Sequence, residues 1–378
     1  MSDTQAFVPP NPTRKGTGPH INPADPPARP EDAESPAPSE PGSTAPGPNA
    51  PLLEVASLVT RYPVRRGLSE AALRKPRRFV HAVDGVSFSV GRGEMMALVG
   101  ESGCGKTSTV QTILGMVKAT SGAVRLNGTD IAGLPERQMR PLRRVVQMIY
   151  QDPYESLDPR FRVSQTVEEP MLVHGIGRSA AERRDLIIKA LEQAGLSPAD
   201  AYLDRYPHEL SGGQRQRVAI AAALVLGPDL LLADEPVSML DVSVRAGVLA
   251  LLDGLRRTAD MGILMITHDL STAAHFADKI AVMYLGRIVE YGAASDVVRH
   301  PQHPYTKALL SVVPKRDPRD RSVPQILTGE TPDPIDVPTG CRFHPRCPIA
   351  VDECRTQDPT LRLPATSAAG HLAACNLA

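Results

Sequence analysis

The residues with the clearest chemical purpose are Gly100-Glu101-Ser102-Gly103-Cys104-Gly105-Lys106-Thr107. Their spacing, Gly-x-x-x-x-Gly-Lys-Thr, is a phosphate-binding loop pattern. Glycines let the backbone curl until its N–H groups point inward at phosphate oxygens, and a helix starting there adds its positive end. Lys106 is then placed to reach β- and γ-phosphates, and Thr107 to offer a hydroxyl to Mg²⁺. Gly100, Ser102, Gly103, Cys104, Gly105, Lys106, Thr107 and Ser108 are the expected nucleotide-binding residues. Asp234 and Glu235 end the apolar run Leu230-Leu-Leu-Ala. Two carboxylates at the end of a buried strand are expensive unless a cation sits there. Asp234 suits Mg²⁺, directly or through water, and Glu235 suits a water aimed at the γ-phosphate. A third motif is Leu210-Ser211-Gly212-Gly213-Gln214. Ser211 can cap a helix, with Gly212 and Gly213 offering N–H groups to an anion. In isolation that motif reads equally as an ordinary capped helix.

These residues need a scaffold that brings them together. Met95-Met96-Ala97-Leu98-Val99, Leu230 to Ala233 and Ile263 to Thr267 are apolar runs that suit buried parallel strands. Residues 52–60 and 79–99 also read as strands. Val110, Ile113, Leu114 and Val117 give a helix after the phosphate loop, and Arg217, Ile220 and Leu224 one after Ser211, ended by Gly227-Pro228. Residues 152–215 are mostly helical in pattern, as over Ala180 to Ala194, and interrupt the strand–helix alternation. The layout predicts an α/β fold, a P-loop nucleotide-binding domain over 51–300 with a helical subdomain inserted at about 152–215. Residues 301–378 form a Cys-rich C-terminal extension, and residues 1–50 a Pro-rich leader that cannot bury enough apolar surface to order itself. The basic stretch from Arg65 to Arg78 reads as a solvated hairpin, with acidic lipid or a partner as the alternative.

Composition sets outer limits. Lys plus Arg and Asp plus Glu balance at 42 each among 378 residues, which argues against a protein that coats nucleic acid. No apolar run approaches the roughly 18–20 residues that span a bilayer, and no apolar signal-peptide core is present. The chain is expected to be soluble and intracellular, with any membrane role exercised through partners.

The phosphate loop, then Leu-Ser-Gly-Gly-Gln, then Leu-Leu-Leu-Ala-Asp-Glu-Pro, then Thr267-His268-Asp269 resembles the ordered signature of ABC transporter ATPases over roughly residues 52–315. That resemblance implies an ATP-hydrolysing subunit working as a head-to-tail dimer. Each ATP would lie between the phosphate loop of one subunit and Ser211, Gly212, Gly213 and Gln214 of the other. Gln151 matches the Mg²⁺-sensing glutamine, and His268 the switch histidine that contacts the γ-phosphate. Asp241, in Ser238-Met239-Leu240-Asp241, falls in the loop that communicates across the dimer, with Met239 where alanine is usual. Lys106, Glu235 and His268 are the implied catalytic residues, and Thr107, Gln151 and Asp234 the implied Mg²⁺ residues. Tyr62 sits where the family stacks an aromatic ring on adenine; Phe79 and His81 are alternatives.

Tyr150-Gln-Asp-Pro-Tyr-Glu-Ser-Leu-Asp-Pro-Arg160, Leu240 to Val244 and His303-Pro-Tyr-Thr-Lys-Ala-Leu-Leu310 resemble the oligopeptide and dipeptide importer subfamily, although Glu155 and Asp158 depart from its commoner Ala and Asn. The resemblance implies a second ATPase subunit, homologous or identical, two membrane permeases and an extracytoplasmic solute-binding protein. It places the chain peripherally at the cytoplasmic face of the cell membrane. Nickel and short oligosaccharides are the alternative solutes. A soluble ATPase acting on ribosomes or DNA is disfavoured by the single phosphate loop, the lack of a heptad stretch and the charge balance.

Cys341, Cys347, Cys354 and Cys375 fall in the tail, and Cys104 lies in the phosphate loop. A disulfide framework is unexpected in a reducing compartment. Four thiolates suit zinc or an iron–sulfur cluster; the absence of tight Cys pairs favours a 4Fe–4S cluster, which some of the resembled importer tails hold. Unligated thiols are the remaining reading.

Overall fold

Apolar runs without alternation become strands covered on both faces. β3 (Met95–Val99), β6 (Val146–Ile149), β7 (Leu230–Asp234), β8 (Gly262–Thr267) and β9 (Lys279–Tyr284) pair in parallel in the order β9-β3-β8-β7-β6. β10 (Arg287–Ala293) and β11 (Leu372–Ala373) extend this sheet antiparallel beyond β9. The computed structural model describes residues 50–66, 76–313, 324–365 and 367–378. Nearly all of the expected leader, and the middle of the basic stretch, lie outside them.

Successive side chains of each strand enter different cores. Met95, Ala97, Val99 and Met265 join one apolar cluster with the helices Val163–His174, Ala180–Gln193, Gly212–Leu224 and Val242–Ala259. Met96, Leu98, Leu232 and Leu264 join a second cluster on the opposite face. That cluster is completed by the helix Lys106–Ile113 and by an antiparallel sheet of β1 (Leu53–Pro63), β2 (Phe79–Val90), β4 (Ser121–Leu126) and β5 (Thr129–Asp130), ordered β2-β1-β4-β5.

Between β6 and β7 the described chain contributes helices and short 3-10 turns but no strand. Val167, Met171, Ile187, Leu191, Val218 and Ala221 face one another there, fully or almost fully buried. Residues 324–378 have little regular structure and are held by charged and polar bonds instead. Arg342, buried, donates to the carbonyl of Leu285 at 2.6 Å and pairs with Asp84. Glu290, fully buried, accepts from the N–H groups of Gln302 (2.7 Å) and His303 (2.9 Å) and meets Nε2 of His371 at 2.7 Å. A buried carboxylate with three partners is stable where an orphan would not be.

Candidate nucleotide site

β3 delivers the chain to Gly100, and the helix Lys106–Ile113 begins six residues later. The turn between them requires glycine at Gly105, whose φ of +110° is left-handed and whose Cβ would strike the carbonyl oxygen of Ala82. At Gly103, φ is +79° and a Cβ would meet open space, so the loop backbone there faces the cavity. Lys106 is buried, and its ammonium donates to the loop's own carbonyls, Gly100 at 2.7 Å and Glu101 at 2.9 Å.

A cavity of ≈ 680 Å³ opens over this loop. Gly100, Ser102, Gly103, Gly105, Lys106, Thr107 and Ser108 line it, with Tyr62, Gln151, Glu235 and His268. Cys104 is buried beneath the loop and does not line the cavity. β1 supplies Tyr62, whose hydroxyl donates to Ser108 Oγ at 3.3 Å. Val80 and Ala82 of β2 line the same wall. Alternation along the strand turns Phe79 and His81 the other way, and neither lines the cavity.

Glu235 is the meeting point of three elements. Its Oε2 accepts from Gln151 Nε2 at 3.1 Å and lies 3.2 Å from His268 Nδ1. Its backbone holds φ +45°, tied by its N–H to Ile266 O at 3.0 Å. Such a left-handed conformation at a non-glycine residue is uncommon and clusters at functional sites. Asp269 fixes the turn after His268 by accepting from Ser271 N at 2.9 Å and Thr272 N at 3.4 Å. Ser238 donates its N–H and its hydroxyl to Glu235 O, both at 3.1 Å, tying the segment that leads to exposed Asp241.

Asp234 is buried beside this centre. Burial pushes its carboxyl above the usual range; a hydrogen bond with Thr107 and the Lys106 charge oppose that shift, and the Glu235 charge adds to it. Thr107, Gln151 and Asp234 line one adjoining cavity. A hydroxyl, an amide oxygen and a carboxylate are the hard oxygen donors Mg²⁺ takes, so the residues fit that ion.

Ser211 to Gln214 do not line the cavity of their own chain. Ser211 caps the helix Gly212–Leu224, accepting from Gln214 N at 3.3 Å, while the Gln214 side chain accepts from Ser211 N at 3.0 Å. That reciprocal pair is a capping box. A Cβ at Gly212 would meet only an ordinary contact with Leu240, whereas one at Gly213 would strike Val244.

The tail cysteines differ from expectation. All four are free thiols, Cys354 and Cys375 buried and the others half-buried. Among the described residues, no three or more His, Cys, Asp or Glu are gathered closely enough to hold a metal ion. Burial, with the neighbouring Cys354, Cys375 and Cys347 adding, pushes the Cys341 thiol up to about 11. The expected zinc or 4Fe–4S site is therefore not supported among the described residues.

Several lining residues escaped the sequence reading. Leu309 and Pro334, both beyond the last parallel strand, form part of the nucleotide cavity wall. Glu101 carries a signal in the sequence itself: an acid inside a phosphate loop needs a partner. Its carboxylate is held by Arg346 and Thr331.

A family model described as ABC transporter matches residues 83–238, and one described as oligopeptide/dipeptide transporter, C-terminal region, matches residues 289–354. The dipeptide transport ATP-binding protein DppF of Haemophilus influenzae is 46% identical over 314 residues, covering 83% of this chain and 93% of its own. The oligopeptide transport ATP-binding protein OppF of Salmonella typhimurium is 43% identical over 313 residues, covering 82% and 92%. The solved dimer of a bacterial ABC transporter cassette is 26% identical with a TM-score of 0.56, over 64% of this chain and 98% of its own. Among the described residues no helix is long and apolar enough to cross a membrane.

Proposed function

The chain belongs to the ATP-binding subunits of ABC transporters, and from that premise we propose that it hydrolyses ATP to drive import of short peptides. The observation that carries the reading is one cavity lined at once by Lys106, Thr107, Gln151, Glu235 and His268. Lys106 exchanges its loop carbonyls for β- and γ-phosphate oxygens, and loop N–H groups take the remaining charge. Tyr62 stacks on the base against Val80 and Ala82. Glu235 takes a proton from the attacking water, while Gln151 and His268 hold its carboxylate in place. Thr107, Asp234 and Gln151 would hold Mg²⁺, directly or through water, and the ion would supply charge neutralisation at the phosphates.

Ser211, Gly212, Gly213 and Gln214 act on the ATP of a second ATPase subunit, and Asp241 lies at that contact. The helices between β6 and β7 form the helical subdomain of the 51–300 ATPase domain, and residues 301–378 form its extension. Exposed Tyr150 and Tyr154 face the membrane subunits, so the chain works peripherally at the cytoplasmic face of the membrane. A solute-binding protein outside delivers the cargo. The match over residues 289–354 and the dipeptide and oligopeptide relatives support peptide over nickel, oligosaccharide or a ribosomal or DNA role.

The test is co-purification with two integral membrane subunits and reconstitution in vesicles with the solute-binding protein. ATP-dependent peptide uptake, lost with Lys106→Ala, is the expected result. ATP turnover stimulated by nickel or an oligosaccharide but not by peptide would overturn the cargo assignment.

A further inference from the structure

The phosphate loop is held from outside the strands and helix that build it. Glu101 Oε2 accepts from Arg346 Nη1 at 2.8 Å and Thr331 Oγ1 at 2.9 Å, and Oε1 accepts from Arg346 Nη2 at 3.3 Å. The N–H of the same residue donates to the hydroxyl of Tyr305 at 3.0 Å. Tyr305 is fully buried and packs edge-on against Tyr284 at 4.8 Å, with Phe343 5.4 Å away. The Arg346 side chain is only 9% exposed, and its guanidinium lies 5.9 Å over the Tyr284 ring. Phe343 and Arg346 both lie between Cys341 and Cys347. A backbone bond from His81 N to Pro334 O, 2.9 Å, pins the connecting strap to β2 where Pro334 enters the nucleotide cavity wall.

Glu101 therefore has two faces. Its carboxylate is gripped by the tail, and its carbonyl holds Lys106 Nζ at 2.9 Å. A forked guanidinium on a carboxylate fixes orientation as well as position. We infer that Tyr305, Thr331 and Arg346 form a clasp that sets the shape of the phosphate loop, with Arg346 a positioning residue for nucleotide binding. Through it the folded state of the loop bearing Cys341 and Cys347 is felt as ATP affinity. The inference rests on the nucleotide-site reading above.

The experiment compares Arg346→Gln, Arg346→Lys, Glu101→Gln and the Glu101→Gln/Arg346→Gln double variant in the full 378-residue chain. Mg-ATP dissociation constant, KM, kcat and Tm are measured for each. Arg346→Gln and Glu101→Gln should each raise the KM for ATP by about 5- to 20-fold, the change falling on KM rather than kcat. The double variant should be no worse than the more severe single one, because both break the Glu101–Arg346 contact. Arg346→Lys, which keeps charge but loses the fork, should fall between wild type and Arg346→Gln. A purely structural staple predicts a lower Tm with unchanged KM, and that result overturns the inference, as does an additive double variant. Lys106→Ala serves as the control. If it binds Mg-ATP like wild type, the nucleotide-site reading itself fails, an outcome distinct from failure of the clasp.

Discussion

Replacing Glu235 with Gln removes a proton acceptor and little else. The two side chains have the same length, and the φ of +45° strains both alike, so folding stability should change by less than about 0.5 kcal/mol. One carboxylate oxygen meets Gln151 at 3.1 Å and His268 at 3.2 Å. The new amide can place its oxygen where that carboxylate oxygen lies and keep both contacts, but it has no basic lone pair for a water proton. A positioned general base contributes about 10²- to 10⁴-fold, which corresponds to roughly 3–5 kcal/mol of barrier. kcat should fall by that factor. ATP affinity should stay within about threefold, because Lys106 and the loop N–H groups are untouched. Single-turnover phosphate release gives the first quantity and equilibrium titration with Mg-ATP the second. An ATP-bound dimer should accumulate in size-exclusion chromatography. A kcat within about threefold of wild type would refute the general-base role. Loss of ATP affinity together with kcat would make Glu235 a binding group instead.

Gly105→Ala should push a methyl into the Ala82 carbonyl at φ +110°, costing about 1–3 kcal/mol of stability and most ATP binding, measured by denaturant titration and Mg-ATP titration. Gly212→Asp is the cleaner probe of the trans contact, since a Cβ there meets only Leu240 at 3.7 Å. Turnover should collapse while ATP binding to the same chain's phosphate loop persists; full activity in a monomeric sample would sink the dimer requirement. Acid should weaken the fold through His303, whose pKa burial lowers to about 3 from the model-compound value of 6.5. The unfolded chain takes up that proton below about pH 6.5 and the native chain does not, so stability is whole above that pH and lost on acidification, by about 2 kcal/mol between pH 7.5 and 5. His303 Nδ1 also caps the helix Pro304–Ser311 by accepting from Tyr305 N at 3.1 Å. His303→Asn keeps a capping oxygen and should flatten this slope in denaturant titrations at the two pH values.

The parallel strands and the phosphate loop were legible because each is a local pattern: an apolar run bounded by polar residues, or glycines at fixed offsets. Ser211 as a helix cap was legible for the same reason, since its partner is three residues away. Glu101 was not, because its partners Thr331 and Arg346 lie 230 and 245 residues further along. No periodicity reports contacts of that length. Pro334 in the nucleotide wall was hidden likewise, held by one backbone bond in a segment without regular structure. The cysteines illustrate the converse. Four thiols in one tail suggest ligation by count, but count carries no information on whether they are gathered closely enough to share a metal ion.

β11 has consequences for how the chain matures. Its two residues pair with Glu290 and Tyr291 of β10, and Ala374 N adds a bond to Val289 O at 2.8 Å. The outermost strand of the principal sheet is thus contributed some eighty residues after its neighbour. A chain still being synthesised can assemble the parallel strands, yet its sheet keeps a bare edge until residue 373 emerges. Glu290 also lacks its His371 partner until then. Closure of that edge therefore waits for residue 373, so products terminated before it would be sticky intermediates rather than smaller working subunits.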